Sequence, residues 1–188
     1  MEAEFGFILW SLREYQFKMA CAGFFVRGGL TIGPLFMDDF SVYGPALLEA
    51  YDLETRVAVN PVVVLSDEAS KLVDKHLTYY MGERAPQMQD LLRRPDGRYF
   101  INYLAEAILE HRDGETLATG AVRLHKRRVV AALKQSKANP RVFDKFAWLA
   151  AYHNHFCQSV SALPGYEPNL AISPAVFALE LREIGPIR

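Results

Sequence analysis

Two adjacent glycines within an alternating stretch, FFVRGGLTIG at residues 24–33, constrain the fold of this chain more than any other feature. The alternation of apolar and polar residues predicts a β-strand. A glycine in a strand leaves no side chain above the sheet, so another backbone or a ligand can approach closely. We therefore expect a close neighbour at Gly28 and Gly29. The residues on one face of this strand are Arg27, Gly29, Thr31 and Gly33.

The close neighbour has two interpretations. A flat, polar face with the Arg27 guanidinium at one end suits a phosphate-bearing ligand or a second backbone. The alternative is a bulge or tight packing within the sheet, with Arg27 solvated. The residues by themselves favour this alternative.

The residues after this strand predict a hairpin and a helix. FMDDFSVYG, residues 36–44, has a polar tip, and Asp38 and Asp39 are interpreted as turn formers because adjacent carboxylates point apart and do not share a metal. Pro45 then lies in the first turn of a helix, where proline is well tolerated. Strands and helices alternate irregularly beyond this point. The sequence predicts an α+β fold with a mostly antiparallel sheet, helices on one face and a C-terminal helical segment.

Apolar spacing and turn residues divide the remaining chain into elements and regions. Ser66 or Asp67 is predicted to cap a helix that follows the apolar strand PVVVLSD, and YFINYL is predicted to be a strand followed by a short helix. Further helices are predicted at residues 4–21, 114–136 and 140–161. The predicted regions are a first domain at 1–112, a helical extension at 113–161 and a proline-rich tail at 162–188 that wraps the surface as a loop.

Composition excludes several classes of partner. The formal net charge is -1, so the chain has no global electrostatic attraction to nucleic acid or to an anionic membrane. No apolar run is long enough to span a bilayer, and the acidic start MEAEFGFILW lacks the basic region of a secretory signal. Cys21 and Cys157 match no metal-ligand spacing. We expect a soluble protein of the reducing cytoplasm that binds neither nucleic acid nor membrane.

Two short motifs resemble functional sites and have simpler explanations. In YHNHFC, His153 and His155 point in different directions on a helix and cannot share a metal, so His153 is interpreted as a core or interface residue. RLHKRR, residues 123–128, carries positive charge without interleaved aromatic residues. We interpret it as a solvated face or as the rim of a dimer.

Several ordered segments together resemble a known family. FFVRGGLTIG, VYGPALLEAYDLE, PVVVLSD, DGRYFINYL and KFAWLAAYHNHF occur in the order found in the second half of class III nucleotidyl cyclase catalytic domains. Within that superfamily the chain is most similar to the bacterial pyrimidine cyclases of anti-phage signalling, over most of residues 5–157. The resemblance implies a palm-like fold, a homodimer that shares active sites at its interface, and a nucleoside triphosphate substrate.

The resemblance also implies a metal requirement. Family enzymes bind two Mg²⁺ or Mn²⁺ ions through two carboxylates on early strands, and the ions activate the ribose hydroxyl for attack on the α-phosphorus. Those strands precede the helix that opens this chain, and Glu2 and Glu4 cannot replace them. The resemblance therefore implies Mg²⁺ or Mn²⁺ for an intact family enzyme, and no bound metal and no activity for this chain alone.

The resemblance assigns candidate site residues. Purine cyclases carry an asparagine and an arginine where this chain has Leu48 and Asp52, which argues against a purine cyclase. Arg27 becomes the candidate catalytic contact to phosphate. The candidate substrate-binding residues are Gly28, Gly29, Thr31, Arg94 and Arg98.

Three hypotheses for function stay open. The chain is the C-terminal part of a pyrimidine nucleotide cyclase that makes cyclic UMP or cyclic CMP, a catalytically inactive dimerisation or regulatory subunit, or a truncated product whose other half lies upstream.

Overall fold

The computed structural model describes residues 2–80, 85, 87–173 and 182–183. Contacts divide the chain into two compact units. The first contains residues 1–10, 26–102 and 182–188, and the second contains residues 11–25 and 103–181. The first unit thus ends its long central segment at residue 102, whereas the sequence places a boundary after residue 112.

The first unit contains most of the strands. Its helices are the first part of α1 (Glu2–Ala22), α2 (Pro45–Asp52, continued by a π-helical turn at Leu53–Val57), α3 (Asp67–Tyr79) and α4 (Gln87–Asp90). Its strands are β1 (Gly28–Leu30), β2 (Phe36–Met37), β3 (Val42–Tyr43), β4 (Val63–Leu65), β5 (Leu91–Arg93) and β6 (Tyr99–Ile101).

The second unit is mainly helical. It contains the end of α1, a 3₁₀ turn at Tyr103–Ala107, β7 (Ile108–His111), β8 (Gly114–Leu117), α5 (Thr119–Gln135), α6 (Pro140–Ser159) and a 3₁₀ turn at Pro168–Leu170. Near the end of the chain, Arg182–Glu183 form a short strand, β9, that belongs to the first unit.

The sheet of the first unit is mixed. Its strand order is β1-β4-β6-β5, with β9 added at the edge next to β5. β1 and β4 are parallel, with Gly29 opposite Val64, and the other neighbours are antiparallel. The β2–β3 hairpin and α2 connect the two parallel strands. The predicted α+β class with a mostly antiparallel sheet is confirmed.

Two local predictions are confirmed by hydrogen bonds. The Ser66 hydroxyl accepts a hydrogen bond from the backbone N–H of Ala69, 3.1 Å away, and so caps α3. The Asp38 carboxylate accepts hydrogen bonds from the backbone N–H groups of Phe40 and Ser41, at 2.9 and 2.7 Å. Asp38 is therefore a turn former, as the hairpin pattern predicts.

The predicted helix at residues 114–136 is wrong at its start. Gly114–Leu117 form β8, which pairs with β7, and α5 begins only at Thr119. Gly114 has a φ of 126°, which the turn between β7 and β8 requires and which glycine adopts without strain. The Asp113–Gly114 pair is a recognised hairpin signal, and it takes precedence over the helical spacing.

The tail is more than a surface loop. Leu170 and Ile172 are buried, and the amide side chain of Asn154 exchanges two hydrogen bonds with the backbone of Ile172. The Lys126 ammonium donates to the carbonyl oxygens of Asn169 and Ala171, at 2.6 and 2.8 Å. Residues 168–170 form a 3₁₀ turn and residues 171–173 are irregular, so the prediction of a surface loop is wrong in missing the burial of Leu170 and Ile172. Residues 174–181 and 184–188 lie outside the described residues.

Candidate functional site

The face of β1 that carries Gly29 and Gly33 is covered by α2 and by the π-helical turn that continues it. A Cβ atom at Gly29 would lie 2.5 Å from Leu53 Cβ and 2.6 Å from the Ala50 carbonyl oxygen. At Gly33 it would lie 3.4 Å from Ala46 Cβ. The close neighbour of this strand is therefore the chain's own helix, so the tight packing that the residues by themselves favour is confirmed, and the alternative of a face left open to a ligand is wrong at Gly29.

Gly28 differs from Gly29. A Cβ atom at Gly28 would make ordinary contact with Val63 Cγ2 at 3.4 Å. Its backbone N–H donates to the Val62 carbonyl at 3.1 Å. Of these two positions, only position 29 lacks room for a side chain and so has to be glycine.

Arg27 and Arg94 both contact the π-helical turn after α2. The Arg27 guanidinium forms an ion pair with Glu54 at 2.5 Å, and its side chain is 37% exposed. Arg94 donates to the Val57 carbonyl at 3.2 Å and forms an ion pair with Asp96, also at 3.2 Å. The structure therefore brings these two predicted phosphate contacts to one turn, each with a carboxylate beside it.

Arg98 contacts a different element. Its guanidinium donates to the Asp67 carboxylate at 3.1 Å, at the first residue of α3. The carboxylate is 71% exposed, so this ion pair is largely screened by solvent. Among the described residues, no hydrogen bond or ion pair joins the Arg98 site at Asp67 to the Arg27 site at Glu54.

Thr31 lies at the carboxyl ends of the two parallel strands. Its hydroxyl donates to the Glu49 carboxylate at 2.6 Å and lies 3.0 Å from the Ser66 hydroxyl. The Thr31 hydroxyl has one proton, which it donates to Glu49. The Ser66 hydroxyl must therefore donate its own proton to the Thr31 oxygen, and its oxygen accepts from the backbone N–H of Ala69. Ligands often bind at such strand ends. The sequence analysis did not predict the contact of Glu49 with Thr31. For Ser66 it predicted only the helix cap and not the contact with Thr31.

Carboxylates near the predicted site do not form a metal centre. Glu54 pairs with Arg27 and Glu49 accepts from Thr31, so each is already engaged. Across the described ranges, no group of three or more His, Cys, Asp or Glu side chains could hold a metal ion. The donor set does not fit the two divalent ions of the resembled family. Within the same described ranges, no helix has the length and apolarity to cross a membrane.

A buried hydrogen-bonded chain occupies the core of the second unit. The rings of His125 and His153 stack, with 3.0 Å between their Nδ1 atoms. His153 Nε2 lies 3.0 Å from the Leu170 carbonyl and must donate to it. His153 Nδ1 therefore accepts from His125 Nδ1–H, and His125 Nε2 accepts from the Tyr103 hydroxyl at 3.0 Å. Each neutral histidine uses both of its ring nitrogens.

Burial decides the protonation states in this chain. Desolvation lowers the pKa of His125 well below its usual value and lowers that of His153 from 6.5 to about 4. Burial also raises the pKa of the Cys157 thiol to about 11, so this thiol is not a nucleophile at neutral pH. The core interpretation of His153 is confirmed. His125 was missed, although it falls at helical spacing between the buried Val122 and Val129.

The basic run at residues 123–128 contacts its own unit. Arg123 forms an ion pair with Glu167 at 2.6 Å, and Arg128 Nε donates to the Cys21 carbonyl at 3.0 Å. These contacts give the run a structural use within the second unit.

Comparison with known proteins adds no relative. No family model, no curated protein and no solved structure matches this chain.

Proposed function

We propose that this chain is a cyclase-like dimerisation module, and that it associates with a second copy through an apolar surface of its first unit. We call this surface the hairpin face, and it combines the β2–β3 hairpin with the outer side of α2. Its residues are Phe36, Met37, Phe40, Val42, Tyr43, Leu47, Leu48 and Tyr51.

The exposure of these large apolar side chains carries the proposal. Phe40 is 96% exposed, Met37 is 71% exposed and Leu48 is 69% exposed. Large apolar side chains clustered on a surface are typical of protein–protein contacts. The aromatic rings of Phe36 and Tyr43, 4.6 Å apart, hold the two strands in one shape before any partner binds.

A second copy is the partner that the observations favour. β2 and β3 form a two-stranded sheet of their own, and such a hairpin gains stability when another strand or surface covers it. The net charge of -1 gives two copies little mutual repulsion. A two-fold interface uses the same surface on both copies, so the hairpin face by itself could supply both sides of the contact. The family resemblance also implies a homodimer.

Contacts around Arg27 favour a non-catalytic role. Glu54 already neutralises its guanidinium, and α2 fills the space above Gly29 where a nucleotide was predicted to lie. A triphosphate on that face would have to displace a packed helix. These contacts support a dimerisation or regulatory subunit over a catalytic one.

Sedimentation velocity over a range of concentrations tests the dimer. We expect the wild-type chain to shift from monomer to dimer, and the double variant Met37→Ser, Phe40→Ser to remain a monomer with an unchanged melting temperature. Val59→Ser is the matched control, because Val59 is exposed in the same unit and lies outside the hairpin face. A wild-type chain that stays monomeric, or a double variant that still dimerises, contradicts the proposal.

The second candidate is the C-terminal part of a pyrimidine nucleotide cyclase of anti-phage defence. Its supporting observation is that the Arg27–Glu54 pair is partly solvated, so a phosphate could exchange with Glu54. Mg²⁺ or Mn²⁺ would then have to be held by residues other than those described, and UTP or CTP would be the substrate. We expect no cyclic product from the purified chain with either nucleotide and either metal. Product in proportion to protein would favour this candidate over the first.

A cytoplasmic location belongs to the same proposal. Cys21 and Cys157 are both free thiols in the described structure, as expected for a reducing compartment.

A further inference from the structure

The second unit contains a partly open cavity of about 500 Å³ that the proposed function does not use. It lies beside the C-terminal end of α1, along the second half of α5 and at the start of α6. This volume is within the range of small-molecule sites in proteins. We propose that the cavity binds a small amphipathic carboxylate, with an apolar body against its aromatic wall and its carboxylate on Arg128.

Arg128 supplies the polar end of the site. Its Nε donates to the Cys21 carbonyl at 3.0 Å, and its Cδ lies 3.6 Å from the position of a Cβ at Gly23. The side chain is exposed, and the hydrogen bond from Nε is the contact that orients its guanidinium. Its two Nη groups contact no acceptor among the described residues, so the pair of donors that fits a carboxylate is free.

Aromatic and small side chains supply the apolar end. Phe25 and Phe146 meet edge to face, with ring centroids 5.6 Å apart and an interplanar angle of 67°. Ala131 and Ala132 on α5 also line the cavity, and their short side chains occupy little of its volume. An aromatic or branched hydrocarbon group can therefore enter and contact the two rings.

Charge selects the class of ligand. Arg128 is the only charged side chain among the described residues that line the cavity. One guanidinium matches one carboxylate, whereas a nucleotide triphosphate needs several cations or a metal. The site is thus distinct in chemistry from the predicted nucleotide contacts at Arg27, Arg94 and Arg98.

Titration of the full chain with 2-naphthylacetate, followed by ¹H–¹⁵N NMR spectra, tests the inference. We expect a dissociation constant on the order of 0.1–1 mM, from ordinary ligand efficiency for a molecule of this size. The amides of Gly23, Ala132 and Gln135 should shift. The neutral amide, 2-naphthylacetamide, should bind about tenfold more weakly, because it lacks the charge-assisted contact. Inorganic phosphate should leave these amides unshifted.

Two variants and a control separate binding from folding. Arg128→Gln should weaken naphthylacetate binding about tenfold. Because Arg128 also contacts the end of α1, Ala131→Leu provides an independent test. Ala131 is exposed and lines the cavity, so the larger side chain should fill the cavity and abolish binding while the chain stays folded by circular dichroism. Arg127→Gln, an exposed neighbour that does not line the cavity, should bind as the wild type does. Equal affinity for the acid and the amide, unchanged binding in both cavity variants, or no binding to the folded wild type overturns the proposal.

Discussion

Substitution of Gly29 by alanine should strongly destabilise the first unit. The added Cβ would lie 2.5 Å from Leu53 Cβ and 2.6 Å from the Ala50 carbonyl oxygen, closer than real Cβ contacts occur. One of these neighbours is backbone, so the strand or α2 must move. Overpacking of this kind costs roughly 1–3 kcal/mol, and we expect the upper end because no flexible side-chain end can yield.

Thermal unfolding of Gly29→Ala and Gly28→Ala measures this cost against a matched control. A loss of about 3 kcal/mol should lower the melting temperature of a chain of this length by roughly 6–12 °C. Gly28→Ala meets only Val63 Cγ2 at 3.4 Å and should change stability by less than about 1 kcal/mol in either direction. A ligand above Gly29 in place of α2 would predict the opposite result for Gly29→Ala. Equal melting temperatures for the two variants would refute the packing argument.

Three further predictions concern protonation, the ion pair and the helix cap. Burial lowers the pKa of His153 from 6.5 to about 4 in the folded chain, so the unfolded chain binds more protons and the folded state loses stability as the pH drops from 6.5 toward 4. The free energy of unfolding, measured in urea, should fall by about 3 kcal/mol. A free energy that stays constant over this pH range would contradict the buried neutral histidine pair. Arg27→Ala should lower the free energy of unfolding by less than about 1 kcal/mol in the same assay, because the ion pair of Arg27 with Glu54 is partly exposed. A larger loss would show that Arg27 stabilises the fold more than this ion pair explains. Ser66→Ala should lower the free energy of unfolding by about 1–2 kcal/mol, because it removes the cap of α3 and the hydroxyl that donates to Thr31. Ser70→Ala, a control in the same helix, should lower it by less. Equal losses for the two variants would argue against the cap.

Signals that act over a few residues were predictable from the sequence. The Asp38 turn and the Ser66 cap each join groups three residues apart or fewer, and the structure contains both. The helical spacing in α1 was less reliable. The spacing predicts a helix at residues 4–21 and α1 is there, but it does not give the covered side, since Tyr15 is exposed and Phe17 is buried. Neighbouring helices, and not the periodicity alone, decide which side of a long helix is covered.

Signals that depend on distant residues were not predictable. The glycines predict that a close neighbour approaches β1. The sequence around Ala50 and Leu53, more distant along the chain, does not indicate that these residues are that neighbour. The same holds for the pairing of His125 with His153. A motif such as FFVRGGLTIG thus specifies a space above the backbone, and only the tertiary structure shows what fills it.

Isotope-filtered NMR tests the central claim, that the hairpin face joins two copies, most directly. A sample mixed from ¹³C-methyl-labelled and unlabelled chains reports contacts between copies and excludes those within one chain. We predict intermolecular NOEs from the Met37 methyl group to aromatic protons of the partner's hairpin face, and their loss in Phe40→Ser. Dimers that show no intermolecular NOE to Met37, or only NOEs from surfaces outside the hairpin face, would contradict the account.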